Sequence, residues 1–167
     1  MTRPARRPVR PSARSRRGVR GGLDVAVSRE PGVAGPSGVA IARVARLALR
    51  AEGVRRAVIS IALVGNATIR RLNGRYLARP RLTDVIAFSL PGDAGVVAGD
   101  VYVAPRVAEA AAAQLGIAVR EEVLRLVVHG VLHVLGYDHP AGPGRMRSAM
   151  WRRQEALLLR ALRAGAR

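Results

Sequence analysis

The stretch from Val119 to Leu135 is apolar nearly all round, and a helix of that kind has to be buried, so it belongs at the centre of the fold. Glu121 and Glu122 stand in its first turn, where carboxylates meet the positive end of the helix dipole. The same segment carries the chemistry. The chain has three histidines in 167 residues, and all of them fall between Val127 and His139. His129 and His133 are four residues apart, so they share one helix face, one turn above the other. Gly136 can take the left-handed conformation that ends a helix, and the resulting turn can bring His139 back over the helix end. The pattern H-x3-H-x2-G-x2-H therefore lets three imidazoles reach one ion.

Simpler readings exist for each histidine singly. One histidine on an apolar helix is usually a core residue with a satisfied hydrogen bond, and one near a C-terminus can serve the helix dipole. Three together, with none elsewhere and a helix-ending glycine between the second and third, point to a metal site. Three neutral imidazoles leave a divalent ion its full charge and an open position, which suits catalysis better than a closed structural site. The spacing resembles that of metzincin proteases, H-E-x-x-H-x-x-G-x-x-H. Gly130 stands where those enzymes carry their glutamate base, so peptide hydrolysis by that route is disfavoured. Asp138 is the nearest carboxylate: a base, an outer partner of a histidine, or a turn residue.

The remaining segments supply the elements around the central helix. Leu23–Ser28 alternates and reads as a strand. Ser37 can cap a helix from Gly38 to about Glu52, closed by Gly53. Ala57–Val64 is a nearly continuous apolar run, as expected of a strand buried on both faces. Asn66 can cap a short helix from Ala67 to Leu77. Thr83–Phe88 and Gly99–Val103 read as strands, and Pro105–Leu115 as a helix. A loop with Pro140, Gly142, Pro143 and Gly144 leads to a last helix, Arg145 to about Ala164. The order β-α-β-α-β-β-α-α-α predicts one α/β domain over residues 23–164. About four strands would form a small mixed sheet packed with about five helices, with the metal site at the end of the central helix.

Charge narrows the partners. The net charge is +18, and every basic residue is arginine. Such a chain attracts phosphate polyanions, with an affinity that falls steeply with salt. Residues 1–22 hold eight arginines and no acid and read as a disordered basic arm. An RNA grip, a solvated extension, or a start site further downstream would each account for it. Without those arginines the charge is still about +10, so the folded part is basic by itself. The absence of cysteine excludes disulfides and thiolate ligands and fits a reducing compartment. No apolar run approaches a membrane span.

The segment His129-Gly130-Val131-Leu132-His133-Val134-Leu135-Gly136-Tyr137-Asp138-His139 resembles the signature H-G-x-L-H-L-x-G-Y-D-H of the YbeY endoribonucleases, with Val134 for a leucine. Leu72-Asn73, Tyr76 and Thr83–Phe88 resemble that family's L-N-x-x-Y-R…T-D-V-L-S-F segment. Gly99-Asp100-Val101 resembles its G-D-I strand, and Met150–Glu155 its M-F-x-x-Q-E. The resemblance implies a zinc-dependent, single-strand-specific endoribonuclease with His129, His133 and His139 as ligands. It further implies a cytoplasmic protein that matures small-subunit ribosomal RNA and associates with the ribosome. Imidazoles also accept nickel, copper or iron. The family's arginine after the tyrosine, thought to serve in its active site, is Leu77 here, and Ala87 replaces its serine. Arg79 or Arg81 is expected to supply that charge, with Arg75 as a further RNA contact. If neither does, a metal-binding ribosome-assembly factor without catalysis is the alternative; a metalloprotease is a weaker one.

Overall fold

The structure, a computed structural model, describes residues 22–78, 80–140 and 142–165. In chain order the elements are β1 (Leu23–Arg29), α1 (Gly38–Ala51), β2 (Ala57–Leu63), α2 (Asn66–Leu77), β3 (Val85–Leu90) and β4 (Val97–Val103). They are followed by α3 (Pro105–Leu115), α4 (Val119–Val134), a 3₁₀ turn (Gly142–Arg147) and α5 (Ala149–Ala164). The strands form one mixed sheet in the order β1-β2-β4-β3. The first three of these neighbours run parallel, and β3 pairs antiparallel with β4. The expected α/β domain with a small mixed sheet and five α-helices is what forms.

Helix α4 is the centre of this arrangement. It touches α1, α3, α5, β3 and β4, and twelve of its sixteen residues are buried. Two glycines set how closely it approaches the sheet. A Cβ on Gly130 would overlap the Val101 side chain, and one on Gly99 would lie 2.5 Å from Cγ1 of Val134. With residue 130 over 101 and 134 over 99, α4 runs antiparallel to β4, and side chains larger than hydrogen at either glycine would push the layers apart.

Several local readings need correction. β2 is not buried on both faces: Ala57, Ile59, Ile61 and Leu63 are buried, but Ser60 is exposed. The helices α1 and α4 cover one face of the sheet, whereas the other meets only a smaller cluster around Ile69, Ile86, Val64 and Ala104. Asn66 does not cap α2. Gly65 holds the cap position, and its N–H donates to Oε2 of Glu30 at 2.8 Å, so a carboxylate from a distant loop satisfies the helix N-terminus. The last helix does not begin at Arg145. A 3₁₀ turn comes first, and Ser148 then caps α5 by accepting from the N–H of Trp151 at 3.1 Å. Thr83 and Asp84 precede β3 rather than belonging to it, and Asp84 Oδ1 accepts from the N–H of Val85 at 2.9 Å.

Candidate metal centre

Helix α4 ends in a way that brings the third histidine to the first two. Leu135 closes the helix, and Gly136 follows with φ 88°, a left-handed conformation that side chains resist. The N–H of Gly136 donates to the carbonyl of His133 at 3.0 Å, and that of Tyr137 to the carbonyl of Leu132 at 3.0 Å. This paired capping arrangement satisfies the last carbonyls and reverses the chain. The Tyr137 hydroxyl donates to Oε2 of Glu52 at 2.6 Å, and Oε1 of the same carboxylate accepts from Nε of Arg153 at 2.5 Å. The loop is thus tied to the end of α1 and to α5. Burial alone would raise the Glu52 pKa, but the bonds from Tyr137 and Arg153 outweigh it and hold the carboxyl below its usual range.

The three imidazoles converge through their Nε2 atoms. His133 Nε2 lies 2.9 Å from His129 Nε2, His139 Nε2 lies 3.4 Å from His129 Nε2, and the three ligand atoms all fall within 4.8 Å of one another. Nitrogens bound tetrahedrally to one zinc at about 2.0–2.1 Å are separated by about 3.3–3.4 Å. The His129–His139 pair already meets that spacing, and the His129–His133 pair needs to open by roughly 0.4 Å to reach it.

The other ring nitrogens decide the protonation. His129 Nδ1 is 2.7 Å from Oε1 of Gln154, His133 Nδ1 is 2.9 Å from the Tyr137 carbonyl, and His139 Nδ1 is 3.0 Å from the Pro140 carbonyl. All three partners are oxygens that only accept. The amide of Gln154 is oriented by its own nitrogen, which donates to Oε1 of Glu155 at 2.9 Å. These acceptors call for the proton on Nδ1 of each ring, which leaves the Nε2 lone pairs turned toward the same point. Three lone pairs facing one another are satisfied by a cation. A proton is a poor one here: burial above all pushes His129 down to about 3, against the Gln154 bond and aided by the charges of His133, Arg145 and His139. His133 is lowered too, again chiefly by burial. The donor set fits a divalent ion with one outer hydrogen bond behind each ligand.

Behind His129 the support runs deep. Gln154 is 1% exposed. Oε1 of Glu155, which holds its amide, also accepts from Nε of Arg125 at 2.9 Å. The buried Arg125 in turn bonds Glu122 at 2.5 Å and Glu121 at 3.3 Å. Asp138 is exposed, and its Oδ1 accepts from the N–H of His139 at 2.8 Å, so it shapes the turn. Arg75 is exposed on α2 with its guanidinium 5.4 Å from the Tyr76 ring centre. Arg81 is exposed, and its carbonyl accepts from Asn73 Nδ2 at 2.8 Å. Arg79 and the Leu77 side chain lie outside the described residues, as does the arm over residues 1–21. Gln154, which holds His129, is not among the expected site residues.

Gly130 explains why the protease spacing carries no protease base. A Cβ there would overlap the Val101 side chain on the sheet, so a glutamate would have to displace β4. The family model described as Endoribonuclease YbeY matches residues 39–161. A Parafrankia protein named Endoribonuclease YbeY is 37% identical over 149 residues, covering 81% of this chain and 92% of the relative. One from Aquifex aeolicus is 40% identical over 100 residues, covering 59% of this chain and 67% of the relative. Another, from Chlorobaculum tepidum, is 34% identical over 120 residues, covering 72% and 85%. A solution structure of a Thermotoga maritima protein shares the fold with a TM-score of 0.57 at 24% identity, covering 85% of this chain and 91% of that one. Sequence and fold together place this chain in the YbeY endoribonuclease family.

Proposed function

We propose that this protein is a zinc-dependent endoribonuclease that cuts single-stranded RNA at the His129, His133 and His139 centre. Its substrate in the cell is small-subunit ribosomal RNA, met in the cytoplasm on or near the ribosome. The observation that carries the reading is the convergence of three Nε2 atoms, each on a ring with an acceptor at Nδ1, in a chain of this family. When bound, the ion supplies Lewis acidity toward a phosphoryl oxygen. The chain's own residues do the rest. Gln154, Tyr137 and Pro140 fix the three rings, and the burial of His129 keeps it neutral. Asp138, anchored through Oδ1, leaves Oδ2 as a proton acceptor beside His139. Arg75, Arg79 and Arg81 attract the RNA backbone, and the arginine-rich segment over residues 1–22 adds a nonspecific tether. No helix among the described residues is long and apolar enough to cross a membrane.

Leu77 favours a second reading, a metal-binding assembly factor without catalysis, because leucine offers an anionic transition state neither charge nor donor. Cleavage of single-stranded RNA by protein whose folding is checked by circular dichroism separates the two. Activity should vanish on chelation and return with zinc. A zinc-loaded, folded protein that leaves RNA intact supports the assembly factor, and cleavage that survives complete metal removal contradicts both.

A further inference from the structure

Arg145 stands out among the arginines of the fold. It sits in the 3₁₀ turn Gly142–Arg147, six residues after His139. Two contacts bring that turn to the metal centre. A Cβ on Gly144 would lie 3.2 Å from Cγ of Pro140, whose carbonyl holds His139. On the other side the Arg145 guanidinium lies 6.0 Å from the ring centre of Trp151, one helical turn before the Gln154 that holds His129. The backbone is fixed as well, since the Arg145 carbonyl accepts from both N–H and Oγ of Ser148, at 3.1 and 2.7 Å.

The side chain so placed has no counter-charge. Among the described residues, arginine ion pairs are made by Arg106, Arg125 and Arg153 and not by Arg145. Its Nε is buried without any acceptor. Buried N–H groups are nearly always paired, and one that is not invites an explanation. A planar fork of charged donors beside a cation site matches one ligand class closely, the phosphate group.

We infer that Arg145 binds the RNA phosphate that faces the three histidines, donating its Nη–H groups to the non-bridging oxygens. The inference rests on the reading of the centre as an RNA-cleaving one. An incoming phosphate would supply the counter-charge that the guanidinium lacks among the described residues and would be held between the arginine and the metal.

The test follows the Arg145 Nε–H resonance by NMR in full-length zinc-loaded protein, assigned by its loss in Arg145→Lys. Inorganic phosphate and a non-cleavable all-deoxy oligonucleotide should each shift it. In parallel, Arg145→Ala should cut RNA cleavage by about 10²–10³-fold, with Arg145→Lys between it and the parent. Zinc content should be unchanged, and Arg79→Ala and Arg81→Ala should lose less. A resonance that neither ligand moves, or an Arg145→Ala protein that cleaves like an active parent, overturns the inference. An inert parent whose Nε–H still responds to both ligands would sink the RNA-cleavage reading and leave the phosphate site standing.

Discussion

Replacing Gln154 with leucine should separate the metal from its protein without touching a ligand. Leucine approximates the volume of glutamine but offers His129 Nδ1 no acceptor. Both residues are buried, Gln154 at 1% and His129 at 4% exposure, so water cannot readily take over the 2.7 Å bond. Two consequences follow. The metal-free fold loses a buried hydrogen bond and keeps an unsatisfied N–H, which costs about 1–3 kcal/mol. Removing such an outer partner of a metal-binding histidine also lowers metal affinity by about 10–100-fold, equivalent to about 1.4–2.7 kcal/mol. Glu155 should stay in place, since Arg125 holds it from the other side. Zinc affinity measured by competition with a chromophoric chelator, alongside urea unfolding of the metal-free protein, reads both effects. An affinity within twofold of the parent would refute the claim that Gln154 orients His129.

Three further outcomes are expected. Gly130→Ala should lose about 1–3 kcal/mol in urea unfolding by overpacking α4 against Val101, and unchanged stability would contradict that contact. In metal-free protein His129 titrates near 3 when folded against 6.5 as a free side chain. The unfolded chain then binds the extra proton between those values, so stability falls as pH drops below 6.5, by at most about 1.4 kcal/mol per pH unit from this residue. A flat profile between 6.5 and the carboxylate range, by urea unfolding, would contradict its burial. Deleting residues 1–21 should leave the melting temperature nearly unchanged while making RNA affinity weaker and less salt-dependent; a large drop in melting temperature would make the segment part of the fold.

What the sequence made legible was local. The spacing of His129, His133, Gly136 and His139 is a property of one helix and one turn, and the capping bonds at Gly136 and Tyr137 follow from it. The buried α4 was visible because its apolar residues leave no polar face. What could not be read was which distant residue would complete each local feature. The cap of α2 comes from Glu30, 35 residues before Gly65, and the support of His129 from Gln154, 25 residues after it. The apolar run of β2 suggested burial on both sides because strand composition does not state how much of each sheet face the helices will cover. One signal was missed that lay in view: Ser148 ahead of an amphipathic segment marks a helix start. Arg145 had no such signal, since only the fold of the turn onto Pro140 and Trp151 sets it apart from the other arginines.

The most direct test of the three-histidine centre is X-ray absorption at the zinc edge of protein loaded with stoichiometric metal. The account predicts three imidazole nitrogens at about 2.0–2.1 Å and an additional light-atom ligand, with one imidazole lost in each of His129→Ala, His133→Ala and His139→Ala. A shell with fewer than three imidazoles in the parent, or one that any of these substitutions leaves unchanged, would contradict it.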